Sequence, residues 1–187
     1  MTHRCAWVSN DPIYIQYHDE EWGRPIYDDR LLFEFLCLEG AQAGLSWITV
    51  LKKREHYRKL FMGFDPKKMA ALTDDELETF LLDPGIIRNR RKVYGFRQNA
   101  QAFLALTQQG SFADFLWGFV GGKPVINKWR QLSEIPTHTE NSDLMAKSLK
   151  KAGFTFVGTT ICYAFMQAVG MVNDHEVDCS CYTLCAK

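Results

Sequence analysis

The chain has 187 residues, 47% of them hydrophobic, and its 22 basic residues balance 22 acidic ones to a net charge of zero. That length suits one domain with a sizeable core, and the neutral balance gives no bulk-charge signal for nucleic acid. No stretch reaches the roughly 20 apolar residues of a membrane span, and the opening MTHRCAWVSNDP has no apolar signal-peptide core. The expectation is a cytoplasmic, reducing location, where six cysteines read as reduced or metal-binding rather than as a disulfide framework.

In chain order, residues 7–22 (WVSNDPIYIQYHDEEW) pack Trp7, Tyr14, Tyr17 and Trp22 into a stretch with little regular periodicity, which reads as loop-like. Leu31, Leu32, Phe35 and Leu38 then repeat as one face of a helix, and after a Gly44-Leu45-Ser46 break Trp47, Val50, Leu51, Tyr57, Leu60 and Phe61 continue that period. Thr73 and Glu76 form a capping box that opens a helix, and Asp83-Pro84-Gly85 stops it. Residues 86–108 read as a long amphipathic helix, 111–120 as a short one, and Gly121-Gly122-Lys123-Pro124 as a turn. A helix over Asn141 to Lys151 and another over 159–170 flank a tight connection bounded by Gly153 and Gly158. No segment alternates with period 2. The fold class is therefore all-α: one helical domain over 1–187 with an irregular appendage.

The two ends carry residue types that ligate metals. Cys5 and His18 lie near the N-terminus, and His175 and Cys179 form His-x₃-Cys near the C-terminus. Together they supply the four ligands of a closed structural zinc site. Spacing alone does not separate this from two buried thiols and two unrelated histidines, and Cys181 and Cys185 compete with Cys179. Cys37 and Cys162 sit in apolar runs, as small core residues do.

Three other features bear on chemistry. Glu39 follows an apolar helical face, where a carboxylate is costly without a partner or a task. The aromatics of 7–22 suit either a core or the walls of a pocket for a flat ring, and a carboxylate among aromatic faces suits a planar cation. Basic clusters at Lys52-Lys53-Arg54, at Arg88 with Arg90-Arg91-Lys92, and at Lys147 with Lys150-Lys151 suit either phosphates or solvated helix faces. The GFTFVG stretch (153–158) leads into a helix whose first N–H groups can hold a phosphate, or is an ordinary helix connection.

Taken together, RCAWVSNDPIYIQYHDEEWG, LEGAQAGLSWITVLKKR, GIIRNRRK and GFTFVGTTICYAFMQAVGMVNDH closely resemble the bacterial type I 3-methyladenine DNA glycosylases, over essentially the whole chain. The resemblance implies a helix-hairpin-helix glycosylase fold and one structural Zn²⁺ on Cys5, His18, His175 and Cys179, tying segments 1–22 and 171–187 together. It implies hydrolytic release of 3-methyladenine from alkylated double-stranded DNA, by a monomer with no membrane partner, after the base leaves the stack. Glu39 matches the family carboxylate that bonds the methylated base, Tyr17 and Trp47 the rings that stack on it, and Trp7 and Tyr14 further walls. Gly153, Phe154 and Gly158 match a hairpin gripping the DNA backbone, Arg88 and Arg90 a second gripping loop, and Leu45 the residue filling the gap of the flipped nucleotide. Thr159 and Thr160 follow Gly158 where bifunctional relatives carry a lysine, so no strand cleavage is expected. Asp174 falls roughly where the superfamily places a catalytic Asp, but it adjoins His175 and is read as structural.

Overall fold

The computed structural model describes residues 3–186, and its elements follow one another as short helices wrapped around a central one. The central helix is α2 (Asp29–Gln42). Every residue from Leu32 to Ala41 is buried, so this helix is enclosed on all sides rather than along one stripe. Around it pack α3 (Trp47–Leu51), α7 (Arg90–Leu106), α8 (Phe112–Trp117) and α10 (Thr159–Ala168). Helices α4 (Arg54–Leu60), α5 (Pro66–Ala70) and α6 (Asp74–Phe80) form a second layer against α7, and α9 (Glu140–Lys151) lies on α10. The chain closes with α11 (Tyr182–Cys185).

The stretch expected to be a loop contains α1 (Pro12–Glu20). Asp11 caps it by accepting the Ile13 N–H at 3.1 Å, and Pro12 supplies a preset φ in the first turn. Tyr14, Tyr17 and His18 stand at i, i+3 and i+4, a helical spacing hidden by the dense aromatics around it. The helix expected from residue 86 begins at Arg90, because Asn89 takes the cap position and accepts the Lys92 N–H at 3.1 Å. The Thr73–Glu76 capping box forms in both directions. The last long helix ends at Ala168, two residues before the position expected. Gly170 stops the chain there: its φ is +75°, and a Cβ would stand 2.5 Å from the Arg24 carbonyl carbon.

Two strands too short to show alternation, β1 (Val125–Ile126) and β2 (Val172–Asn173), pair in parallel, Val125 with Val172. They fasten the irregular 121–135 segment to the chain just before His175. No helix among the described residues is long and apolar enough to cross a membrane.

Candidate active site and metal centre

Helix α2 carries two buried carboxylates with opposite fates. Glu34 is met by the guanidinium of Arg58 and, at 3.5 Å, by that of Arg30. Glu39 has no cationic partner among the described residues, and burial alone pushes its carboxyl up from the ordinary 4.5 to about 8. Its side chain faces a cavity of about 230 Å³.

Four short segments converge on that cavity. The irregular N-terminal segment brings Trp7, α1 brings Tyr14 and Tyr17, the last turn of α2 brings Glu39 and Gln42, and the first residue of α3 brings Trp47. The rings lie against one another: Trp7 and Tyr14 at 5.0 Å between centroids, Tyr17 and Trp47 at 5.5 Å. Trp7 also meets Trp22 edge-on at 5.0 Å, and Trp22 completes that wall. Leu132 and Ile135 from the 121–135 segment and Gln167 from α10 close the far side. The first two had no periodic signal in the sequence. Gln42 did have one, standing three residues beyond Glu39 on the same helical face.

Five buried side-chain polar atoms among the described residues have no hydrogen-bond partner: Trp7 Nε1, Tyr17 Oη, Glu39 Oε2, Gln42 Oε1 and Trp47 Nε1. All five belong to residues that line this one cavity. A buried polar atom without a partner forfeits about 1–3 kcal/mol, and folded proteins rarely leave more than a few in total. Concentrated in a single aromatic chamber, they describe the hydrogen-bonding complement of a flat polar ligand. The Tyr17 hydroxyl stays protonated, its acidity suppressed by burial and then by the neighbouring Glu39 carboxylate.

Behind the Trp7 and Trp22 wall, one ligand atom from each of Cys5, His18, His175 and Cys179 falls within 4.8 Å of all the others, fully buried. Sulfur-to-nitrogen separations are 3.4 Å from Cys5 to His175 Nδ1, 3.5 Å from Cys179 to His18 Nε2 and 3.5 Å from Cys179 to His175 Nδ1. Each imidazole is oriented from its other nitrogen: His18 Nδ1 lies 2.7 Å from Asp19 Oδ1, and His175 Nε2 lies 3.0 Å from the Trp22 carbonyl. Outer partners of this kind set the tautomers that metal ligation needs. Among the rival sulfurs, Cys181 lies outside the quartet and instead donates its backbone N–H to Cys179 Sγ at 3.4 Å. Asp174, next to His175, accepts from Asn127, Trp129, Tyr163 and Gln167 at 2.5–3.0 Å, so its oxygens are saturated by the fold.

The connection between α9 and α10 is a tight hairpin. Gly153, with φ of +100°, closes a Schellman motif: its N–H donates to Lys150 O at 3.1 Å and the Phe154 N–H to Leu149 O at 3.0 Å. The Phe154 ring is core, stacked on Phe112 at 5.8 Å. Neither residue therefore offers a main-chain donor outward. Gly158 does: it caps α10 with no side-chain bond, and the N–H groups of 156–160 have no acceptor among the described residues. On the loop before α7 and in its first turn, Arg88 and Arg91 are exposed without an ion-pair partner among the described residues, while Arg90 is paired with Glu78. Lys92 faces inward. Leu45 sits at the end of a turn over Gln42–Leu45, with Gly44 at φ +79° and the Leu45 N–H donating to Gln42 O at 2.6 Å, and its side chain is 42% exposed.

Known proteins share this fold and much of this sequence. The chain is 58% identical over 180 residues to DNA-3-methyladenine glycosylase 1 of Escherichia coli, covering 96% of each chain. It superposes on a crystal structure of 3-methyladenine DNA glycosylase I with a TM-score of 0.95 at 58% identity, over 96% of this chain and 100% of the other. A crystal structure of a tyrosine-to-phenylalanine variant of 3-methyladenine DNA glycosylase I in complex with 3-methyladenine matches with a TM-score of 0.92 at 38% identity, covering 95% and 96%. A family model described as methyladenine glycosylase matches residues 7–182, and the chain belongs to that family.

Proposed function

We propose that this protein is a DNA-3-methyladenine glycosylase that extrudes N3-methylated adenine from alkylated double-stranded DNA and hydrolyses its glycosidic bond. The observation that carries the reading is the aromatic chamber holding one unpartnered carboxylate. A methylated adenine is a planar cation with an exocyclic amine, and Glu39 Oε2 is an acceptor for that amine. Tyr17 and Trp47 offer faces on which the ring stacks, and Trp7 and Tyr14 bound its edge.

Methylation at N3 lets the base leave without an acid. The N9–C1′ bond breaks with its electron pair going to the base, which departs as neutral 3-methyladenine. Water supplies the oxygen that replaces the base at C1′ and releases a proton to solvent. The protein supplies extrusion, selection and electrostatic shielding of the cationic sugar. Asp174 is not needed as a base, and its four donors hold it as a strut. The threonines at 159 and 160 offer no amine nucleophile, which makes the enzyme monofunctional.

The DNA backbone is taken by the N–H groups of Phe156 and Gly158 with the first turn of α10, and by Arg88 on the loop before α7 with Arg91 in the first turn of α7. Leu45 fills the space left by the extruded nucleotide. The terminal cluster holds one structural Zn²⁺. Zinc–ligand bonds in a tetrahedron set sulfur and nitrogen about 3.6 Å apart, and three of the four sulfur–nitrogen pairs here stand at 3.4–3.5 Å. Cys5, His18, His175 and Cys179 would hold the ion with four protein ligands and so cross-link the two ends of the chain, a structural role rather than a catalytic one.

The test is release of free base from methylated duplex DNA, with the base identified by chromatography and strand integrity by gel. Free 3-methyladenine with intact strands is the expected result. Folded protein that releases no base would reduce the site to a binding module.

A further inference from the structure

Among the residues of the basic cluster 88–92, Lys92 alone is buried. It stands in the first turn of α7, where the helix's own positive end disfavours a cation. Two carbonyls compensate: Lys92 Nζ donates to Ala41 O at 3.0 Å and to Ala43 O at 2.5 Å. These belong to the C-terminal end of α2 and the turn beyond it, where helical carbonyls lack intrahelical partners and the dipole is negative. An ammonium from one helix thus caps the end of another.

The capped stretch is the most loaded in the chain. Within nine residues it carries Glu39 and Gln42 into the cavity, Leu45 outward to solvent, and Trp47 back into the cavity. Gln42 begins the turn and Leu45 ends it, so the angle of the turn sets where the exposed leucine stands relative to the base chamber. Lys92 holds that angle from the side of α7, whose preceding loop presents Arg88.

We infer that Lys92 is a positioning residue for base extrusion: its ammonium fixes the Gln42–Leu45 turn against the Arg88 loop, so that backbone grip, gap filling and base capture act in one register. This rests on the glycosylase reading above. It assigns Lys92 to the step that takes the base out of the duplex and not to recognition of the base once it is out.

The experiment compares wild type with Lys92→Met, which keeps the buried stem and removes the ammonium, in three assays. These are affinity for free 3-methyladenine, single-turnover excision from methylated duplex, and excision from the same methylated strand left unpaired, where little extrusion work remains. Misplacement of a positioned group by about an ångström costs on the order of 100-fold, and a loss of that order is expected in duplex alone. Lys92→Arg, which keeps the charge, is expected to recover part of it. A second variant perturbs the turn without touching the lysine: Gly44→Ala strains the backbone at φ +79°, while its Cβ meets no atom within 4 Å, so the strain falls on the turn and not on its neighbours. It should reproduce the duplex-selective loss, and the double variant should be no worse than either single one. Wild-type duplex rates in Lys92→Met, equal losses in all three assays, or multiplicative losses in the double variant each overturn the inference. Failure of the wild-type protein to release base overturns the glycosylase reading instead.

Discussion

Asn99 and Thr155 hold each other at both polar ends: the Thr155 N–H donates to Asn99 Oδ1 at 2.8 Å, and Asn99 Nδ2 donates to Thr155 O at 3.2 Å. A side chain of α7 thus stands in for a strand partner and holds the hairpin backbone in place. Nearby, Gly95 admits the same hairpin, since a Cβ there would stand 2.9 Å from Thr155 Cγ2. Asn99→Ala leaves two main-chain groups unpaired and should lower stability by about 1–3 kcal/mol, read by urea denaturation. DNA retention should weaken with it while affinity for free 3-methyladenine holds.

Glu39 ties activity and stability to pH in opposite directions. Its carboxyl titrates near 8 when folded against an ordinary 4.5, so between those values the folded state holds a proton that the unfolded state has lost. The stabilisation is therefore complete below 4.5 and is lost as pH rises toward 8, with a slope of up to about 1.4 kcal/mol per pH unit. Capture of a cationic base needs the ionised form, so kcat/KM on methylated duplex should climb through pH 8. Glu39→Gln should abolish that climb, flatten the stability slope, and reduce kcat/KM by about 10–100-fold, the worth of a hydrogen bond to a charged group. A variant with the wild-type pH profile would remove Glu39 from the mechanism.

Metal removal should reach the base chamber as well as the termini. His18 meets Trp7 edge-on at 5.3 Å and His175 meets Trp22 at 4.7 Å, so the ligand rings back the aromatic wall. Cys5→Ser and Cys179→Ser should lose the ion, measured by elemental analysis, lower stability by about 4 kcal/mol or more, and weaken base binding. Cys181→Ser and Cys185→Ser should keep one ion per chain.

The arginines at 88, 90 and 91, before and within the first turn of α7, should separate by salt dependence. Arg88→Ala and Arg91→Ala should each reduce the slope of log affinity against log salt by about 1. Arg90→Ala should change it less, because its guanidinium is already engaged by Glu78.

The sequence was most informative where local pattern and tertiary environment coincide. The apolar face from Leu31 to Leu38 announced the central helix, and a carboxylate following it announced Glu39. What separates Glu39 from Glu34 was not legible, because the difference is Arg58, 24 residues away in the chain. Leu132 and Ile135 line the cavity only because two strand residues, Val125 and Ile126, pair with Val172 and Asn173. Lys92 reads as one more surface cation until the fold aims it at α2. The amides of Gly153 and Phe154 are unavailable for a related reason, since a Schellman closure is a property of backbone angles and leaves only a glycine as its trace.

The contact between Cys5 and His175 spans 170 positions in the chain. Its partners cannot meet until nearly all the rest has been synthesised, and the entropy of closing so long a loop has to be met by structure already formed between them. The first 22 residues bring four of the eleven residues that line the chamber, and Asp11 and Glu21 pair with Lys52 and Arg54, so only their tie to the C-terminal segment waits on that loop closure. Every residue that lines the chamber lies between Trp7 and Gln167, so the Cys5–His175 contact is a seal set behind a wall that is already encoded ahead of it in the chain.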